Sequence, residues 1–556
     1  MNQQETKQQI INRLFPKALP SIAEIEARYT SRELKSGQMV TRIAPSPTGF
    51  MHVGTIYTAL VNERLAHQSG GVFFLRIEDT DKKREVAGAT DLIVKSLAHY
   101  GIRVDEGQNA AGEEIGAYGP YKQSAREEIY QAYVKSLVER GLAYPCFVTS
   151  EELDAIRSEQ EALKIRPGYY GKWAKWRNKT DEEVIAALDA GLPFVIRFKS
   201  PGNFDNYVAM TDLLLGDRKV SENDQDIVLM KSDGMPLYHL AHVVDDHLMQ
   251  TTHVIRGDEW FSSVSLHLQL FTAMGWTAPR YGHIPPIQKM DGKSKRKISK
   301  RKDPEANALF YDEQGYPKDA VLEYLINLAN SNFEDWRKAN PTADNREFQI
   351  TLEKLAGSNG PLFDFVKLGD ISKEIIARYS ADRVCDEYLA WAEKYQTDFG
   401  TFVQVNRDYV IRIFNIERGT DGMARKDFAK WSDVRGEIEY FFDEHFQMSA
   451  EKAIETIGNL RIEDVKNIVE AYMKIHDDKF TKEEWFAKLK EIAKANGFAD
   501  NMKEFKADPS AFKGNVADVA KIFRVLLTGR VQSPDLHAVI AVMGRERVFA
   551  RLSAVI

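Results

Sequence analysis

The sequence predicts an α/β protein, a parallel sheet with flanking helices that is interrupted by an insertion and followed by a long all-helical region. Three observations carry that expectation. The apolar run Val40–Ala44 leads through the rigid turn P-S-P-T-G into a helical pattern. A second run, V-F-F-L-R-I, follows that helix and ends in Glu78-Asp79-Thr80-Asp81, so that strand, helix and strand succeed one another. Beyond about residue 330 strand-like runs give way to charged helical faces that continue to the end.

Taken in order, residues 1 to about 37 read as a helical appendix, because Ser21 and Glu24 form a capping box ahead of Ile22, Ile25 and Ala27. No chemistry is assigned to it. The stretch T-R-I-A-P-S-P-T-G-F-M-H-V-G-T (Thr41–Thr55) then joins a strand to a helix expected to start near Thr55, with Tyr57, Leu60, Val61 and Leu65 on one face. Pro45, Pro47 and Gly49 make the turn rigid, and the open amide end of the helix suits an anion such as phosphate. In parallel sheets ligands bind beyond the carboxyl ends of strands, where both this turn and the E-D-T-D cluster fall.

From about 105 to 230 the regularity lapses, with a helix over 125–140 and the loop K-I-R-P-G-Y-Y-G-K-W-A-K-W-R-N-K. In it Lys164, Arg166, Lys172, Lys175, Arg177 and Lys179 alternate with Tyr169, Tyr170, Trp173 and Trp176. That pattern suits phosphate contact with base stacking, and equally an exposed basic loop. The α/β pattern resumes with Asp226–Met230 and D-G-M-P-L-Y-H-L-A-H-V-V-D-D, followed by His253–Arg256 and Gly257-Asp258-Glu259-Trp260.

Residues 289–302, K-M-D-G-K-S-K-R-K-I-S-K-R-K, set eight basic residues against Asp291 alone. A P-loop is excluded, since Ile287 stands where its first glycine is required. A solvated or targeting charge run and a flexible phosphate-closing loop remain. Near the end, a helix is expected to stop at Gly529, with Ser533-Pro534-Asp535 as N-cap, N1 and N2 of the next and Gly544 closing it.

The 556 residues, 43% hydrophobic, suffice for about three to four domains. With 75 basic and 82 acidic residues the net charge is −7, so any polyanion must be met by local patches. Cys146 and Cys385 alone exclude a disulfide framework and a four-cysteine zinc site, and suit a reducing cytoplasm. Neither a secretory leader nor a run long enough to span a membrane is expected.

The segments R-I-A-P-S-P-T-G-F-M-H-V-G-T, L-R-I-E-D-T-D, Y-H-L-A-H-V-V-D-D-H-L-M, H-V-I-R-G-D-E-W and K-I-S-K-R occur in one order. Together they resemble a bacterial-type glutamyl-tRNA synthetase. His52–Thr55 resembles the H-I-G-H motif of class I synthetases, and Lys297–Arg301 the K-M-S-K-S motif. Thr55 in place of the second histidine fits the glutamyl branch, as does P-S-P-T-G where the glutaminyl branch reads P-E-P-N-G. A catalytically silent RNA-binding scaffold is the reading from another class, and it is disfavoured by retention of His52 and both lysines.

The resemblance implies a helical extension (1–37), a Rossmann-type catalytic domain (38–105 and 231–310) split by an α+β acceptor-stem-binding insertion (106–230), a stem-contact region (311–390) and an all-α anticodon-binding domain (391–556). It implies ATP with Mg2+, L-glutamate and tRNA(Glu) as reactants, and a cytoplasmic monomer. Arg42, Ser46, Glu78, Tyr238, His242 and Arg256 match glutamate-binding positions, although relatives often carry a different residue at His242. His52, Gly54, Thr55, Glu259, Trp260, Lys297, Ser299 and Lys300 match ATP-binding ones; His52, Gly54, Lys297 and Lys300 also carry catalysis. Lys172, Lys175 and Arg177 are expected to touch tRNA. Some relatives hold zinc in the insertion, but Cys146 has no cysteine partner and Val148 stands nearby, so no metal is expected.

Overall fold

The computed structural model describes residues 3–356, 360–418, 425–458 and 460–554. The few remaining positions of the predicted extension and helical half lie outside the described residues. The chain divides into two compact units, Met1–Phe310 with Leu322–Asp364, and Tyr311–Val321 with Phe365–Ile556.

In the first unit, strand Val40–Ile43 pairs in parallel with Val72–Leu75, Val40 opposite Val72 and Ile43 opposite Leu75. Both strands are almost wholly buried, which explains their near-continuous apolar runs. The segment at Asp105–Glu106 lies along the far side of the second strand, through Leu75 N–H to Glu106 O at 2.9 Å and Asp105 N–H to Phe73 O at 2.9 Å. A second parallel pair, His253–Gly257 with Arg280–Ile284, places Arg256 directly opposite His283. It abuts the first strand where Thr252 N–H donates to Val40 O at 3.1 Å.

The helix after the rigid turn runs Val53–Gln68, two residues earlier than the apolar spacing predicts. His52 is its N-cap and starts it: the imidazole Nδ1 accepts Gly54 N–H at 2.9 Å. Polar Asn62 is buried as well, because its side chain donates to Thr58 O and to Ile255 O, at 2.8 and 3.0 Å.

The insertion is α+β. A three-stranded antiparallel sheet, in the order Ala143–Cys146, Val195–Phe198, Val228–Met230, is joined by the hairpin Tyr207–Asp212 with Gly216–Ser221. The predicted 125–140 helix spans Glu127–Glu139, after a 3-10 turn over Gln123–Arg126.

The N-terminal residues are more than an appendix. The Ser21 capping box forms, with Glu24 N–H to Ser21 Oγ at 3.2 Å and Ser21 N–H to Glu24 Oε2 at 2.7 Å. Ile10, Ile11, Leu14, Phe15 and Ile25 join the core of the first unit. Arg32 makes a two-pronged pair with Glu106, both bonds 2.7 Å, and lies over the Tyr118 ring.

Among the described residues of the second unit every regular element is a helix, and the helices surround a core that includes Val384, Tyr388, Phe441, Ile468, Phe523 and Leu552. Helix Val516–Thr528 stops at Gly529, whose φ of 73° favours glycine. The next helix, Leu536–Met543, is capped by Asp535 and not by Ser533. Asp535 Oδ1 accepts Ala538 N–H at 3.0 Å, whereas Ser533 Oγ accepts Arg524 Nε–H at 3.1 Å. The α/β domain, the α+β insertion and the all-α C-terminal region thus match the predicted fold class. No helix among the described residues is long and apolar enough to cross a membrane.

Candidate active site

A cavity of about 350 Å³ opens at the carboxyl ends of the strands. Arg42, Glu78, Tyr238 and Arg256 line one part of it, and His52, Gly54, Thr55, Glu259, Trp260 and Lys297 another. The sequence-predicted residues therefore converge from five segments, and the turn Pro45–Met51 sets the spacing between Arg42 and His52.

Beneath the cavity lies a buried network of ions. Asp246 Oδ1 accepts from Arg76 Nη1 at 2.7 Å and from Arg42 Nε at 3.3 Å. Arg76 reaches Glu78 Oε1 at 3.1 Å, and Arg126 Nε donates to Asp245 Oδ1 at 2.7 Å. Tyr130 OH and Gln123 Nε2 also donate to Asp245. Three arginines thus face three carboxylates in a buried site, an arrangement tolerable only because the charges pair and hydrogen-bond. Burial pushes the Glu78 carboxyl up, against the opposing pull of Arg76 and Arg42. Burial also raises Asp246, but Arg42 and Arg76 outweigh it and hold that carboxyl low.

Arg256 differs. It is 5% exposed, and among the described residues it forms no ion pair. Its partners are neutral: Tyr238 OH at 3.2 Å, Trp260 O at 3.1 Å and His283 Nε2 at 3.1 Å. An uncompensated guanidinium on a cavity wall is a receptor for a carboxylate.

At the other end His52 uses Nδ1 as cap, which leaves Nε2 to carry the ring proton. Burial, then the Lys300 and Lys297 charges, depress its pKa, so the ring is neutral at pH 7. The basic strip is mostly a hairpin, Gln288–Asp291 with Ser294–Lys297, turning at Gly292 (φ 60°). Asp303 ties down its second strand and the residue that follows the motif's isoleucine. That carboxylate takes two bonds from Arg296, at 2.6 and 2.8 Å, and one from Ser299 N–H at 2.8 Å. Lys289 is drawn to Asp303 and Glu305. Lys297 lies 3.3 Å from Glu259, and Lys300 Nζ donates to Phe50 O at 2.9 Å, beside the His52 turn.

Four expected residues are not on the cavity wall. His242 is fully buried behind Arg42: Nδ1 is 3.4 Å from Arg42 Nη2 and 3.2 Å from Asp246 Oδ2, while Nε2 meets Tyr281 OH at 3.1 Å. Burial and the charges of Arg256 and Arg42 keep it neutral. Ser46 is exposed on the turn, Ser299 is committed to Asp303, and Lys300 approaches from outside. The E-D-T-D cluster is divided, since Asp79 binds Ser124 N–H at 2.8 Å and only Glu78 faces the cavity.

The aromatic basic loop corrects the base-stacking expectation. Tyr169 and Trp173 are buried with Tyr144, Cys146 and Ile156, and Trp176 packs on Phe147. Arg177 pairs with buried Asp226 and donates to Ser200 O, and Arg166 pairs with Asp224 at 2.6 Å. Lys172 and Lys175 keep exposed side chains. Among the described residues no group of three or more His, Cys, Asp or Glu is arranged to hold a metal.

Sequence reasoning missed Arg76 and Arg126, which neutralise Asp246 and Asp245, Gln123 and Tyr130, which hydrogen-bond Asp245, and also Asp212 and His283. The paired aspartates at the end of an apolar run were the available signal, because two buried carboxylates require cations from elsewhere.

A parallel sheet with a capped helix N-terminus and a lysine strip over one cavity defines a nucleotide-dependent enzyme of the class I synthetase type. Residues 38–349 match the family described as tRNA synthetases class I (E and Q), catalytic domain, and residues 421–556 match an anticodon binding domain. The glutamate–tRNA ligase of Clostridium perfringens (strain 13 / Type A) is 48% identical over 98% of this chain and 99% of its own. That of Clostridium beijerinckii is 49% identical over 93% of this chain and 94% of its own. A crystal structure of a glutamate tRNA ligase from Elizabethkingia meningosepticum in complex with its amino acid aligns with a TM-score of 0.74 at 28% identity, covering 93% of this chain and 99% of that one. The chain belongs to the class I tRNA synthetase family, among the glutamate–tRNA ligases.

Proposed function

We propose that this cavity joins L-glutamate to ATP and that the chain then delivers the glutamyl group to the 3′-terminal ribose of tRNA(Glu). In the first step the α-carboxylate of glutamate attacks the α-phosphate of ATP; the bond to the β-phosphate oxygen breaks and pyrophosphate leaves. In the second, a ribose hydroxyl attacks the acyl carbon and AMP leaves with the bonding pair. The observation that carries this reading is Arg256, a buried cation without an anion, sharing one cavity with the His52-capped helix and Lys297.

Arg256 takes one carboxylate of glutamate, Arg42 the other, and Glu78 the ammonium, with Tyr238 alongside. A carboxamide offers a guanidinium half the acceptors and no charge, which disfavours glutamine. The phosphates lie against His52, Gly54 and Thr55 at the start of the helix, where the dipole favours an anion although His52 already takes the first amides, and Trp260 and Glu259 hold the nucleoside. Lys297 and Lys300 meet the charge that builds during phosphoryl displacement. Catalysis is positioning and electrostatics, without a covalent nucleophile from the protein.

Mg2+ enters on the nucleotide, no zinc is required, and the enzyme works as a cytoplasmic monomer. Residues 106–230 take the acceptor stem, with Lys172 and Lys175 on its phosphates, while 311–390 contact the stem and 391–556 the anticodon. Pyrophosphate exchange driven by glutamate and ATP, measured with and without tRNA(Glu), tests the proposal. Exchange with glutamate that depends on tRNA is expected. Exchange driven by glutamine instead, or none in either condition, overturns it.

A further inference from the structure

Arg256 is held from behind by groups that the scheme above does not use. Arg256 and His283 are register partners on adjacent parallel strands, so their side chains leave one face of the sheet together. Arg256 Nε–H donates to His283 Nε2 at 3.1 Å, and His283 Nδ1 lies 2.6 Å from Asp212 Oδ2. Asp212 sits where the insertion's hairpin strand Tyr207–Asp212 ends, and the next residue, Leu213, donates its N–H to Tyr281 O at 2.8 Å. Gly282 permits that approach, since a Cβ there would come within 3.3 Å of Leu213 Cβ and 2.8 Å of Ile255 Cδ1. A residue of the insertion thereby reaches under the catalytic sheet.

The proton positions follow from the partners. Asp212 is 1% exposed, and its Oδ1 accepts Leu214 N–H and Leu215 N–H, each at 2.9 Å. Burial pushes this carboxyl up, but His283 and the two amides outweigh it and keep it ionised. An ionised carboxylate only accepts, so His283 Nδ1 carries the ring proton and its Nε2 lone pair is left for Arg256. On the other side Arg256 Nη1 lies 3.4 Å from His267 Nδ1, and His267 Nε2 lies 3.0 Å from His239 Nδ1. Every group within hydrogen-bond distance of the guanidinium among the described residues is uncharged, and the Asp212 carboxylate stands an imidazole away.

We infer that Asp212 and His283 are positioning residues for Arg256: the aspartate fixes the histidine tautomer, and the histidine fixes the guanidinium at the cavity wall without neutralising it. The inference rests on the reading that Arg256 takes a glutamate carboxylate. A carboxylate bound directly to Arg256 would orient it equally well but would compete with the substrate. An imidazole avoids that competition.

The test is steady-state charging of tRNA(Glu) by the full chain, with KM for glutamate and for ATP measured separately. Asp212→Asn presents an amide donor to Nδ1, which turns Nε2–H against Arg256 Nε–H. Its glutamate KM is expected to rise at least about tenfold, with ATP KM within about twofold. His283→Leu should do the same, whereas His283→Gln, which keeps a carbonyl acceptor, should restore most of the loss. A general structural role would raise both KM values together or spare neither His283 variant, and that result overturns the inference. So does an unchanged glutamate KM in both Asp212→Asn and His283→Leu when Arg256→Gln raises it. If Arg256→Gln itself leaves glutamate KM unchanged, the reading of the cavity fails instead. Should Asp212→Asn not fold, the contrast between His283→Gln and His283→Leu decides.

Discussion

Removing the Lys300 ammonium separates transition-state chemistry from binding. Nζ is 2.9 Å from Phe50 O and 4.9 Å above the Phe50 ring, so the cation is carried to the rim of the turn that ends in His52. Partial burial lowers its pKa, while the residue as a whole keeps exposed surface. A charge about 4 Å from a phosphate oxygen, at an effective dielectric constant near 20, interacts by about 4 kcal/mol. The part that counts is the increment as charge builds, and loss of one such donor typically slows a reaction about 10²–10³-fold. Lys300→Ala should therefore cut tRNA-dependent pyrophosphate exchange by about 10²–10³, with glutamate KM within about threefold. Its side chain is exposed, so folding stability should change by less than about 0.5 kcal/mol. Transfer from preformed glutamyl-adenylate in a single turnover should be much less affected, since charge then builds on the departing AMP and not on the pyrophosphate oxygens that the lysine meets. Exchange within about threefold of the parent, or an equal loss in the transfer step, would refute the assignment.

Other perturbations address the framework. Asp246→Ala leaves buried Arg42 and Arg76 without this carboxylate and should cost about 3–5 kcal/mol in denaturant unfolding, against a smaller loss for Asp246→Asn. His239 and His253 are held near a pKa of about 4 by burial and neighbouring arginine charge, so the unfolded chain takes up their protons first. Their contribution is complete above about pH 6.5 and is lost as pH falls toward about 4, at about 1.4 kcal/mol per pH unit for each while between those limits; urea midpoints measured from neutral to acid pH give the slope. Neutralising Lys172 and Lys175 together should reduce the magnitude of the salt slope of tRNA binding by about 1.5, a change that titration at several salt concentrations resolves. Arg177→Gln, by contrast, leaves Asp226 buried without its cation and should appear mainly as lost stability in thermal unfolding.

The fold class was legible because its carriers are local. The strand Val40–Ile43 and the turn after it are written in consecutive apolar residues and prolines, and the gap from 105 to 230 stands out by lost periodicity. Residues quoted in motifs, such as Arg42, His52 and Arg256, were found for the same reason. Asp212 was invisible: a lone aspartate before a turn has no signature, and its meaning comes from a hairpin laid across Gly282. The basic loop misled because interleaved aromatic and basic residues look alike whether the rings face solvent or the core. Here Tyr169 and Trp173 close a small core while the lysines remain outside. Helix starts slipped in two places: at His52, an unusual cap, and at Asp535, an ordinary cap that stood two residues beyond the equally plausible Ser533.

Arg42 and Arg256 border the same cavity but are electrostatically unequal, and the inequality bears on selectivity. Arg42 shares Asp246 with Arg76, so its charge is largely answered before any ligand arrives. It can accept a carboxylate or a polar neutral group at modest cost. Arg256 has only neutral partners, so its desolvation is repaid when an anion binds and stays unpaid with a carboxamide. Discrimination between an acid and its amide therefore rests on Arg256, and on whatever keeps acids away from it. Four neutral groups do so, Tyr238, His267, His283 and the Trp260 carbonyl, with Asp212 one imidazole removed. Placing an acidic residue at position 267 would test that balance directly. The guanidinium would stay oriented, yet its preference for glutamate over glutamine should collapse, because the field that separates the two substrates would be cancelled from within.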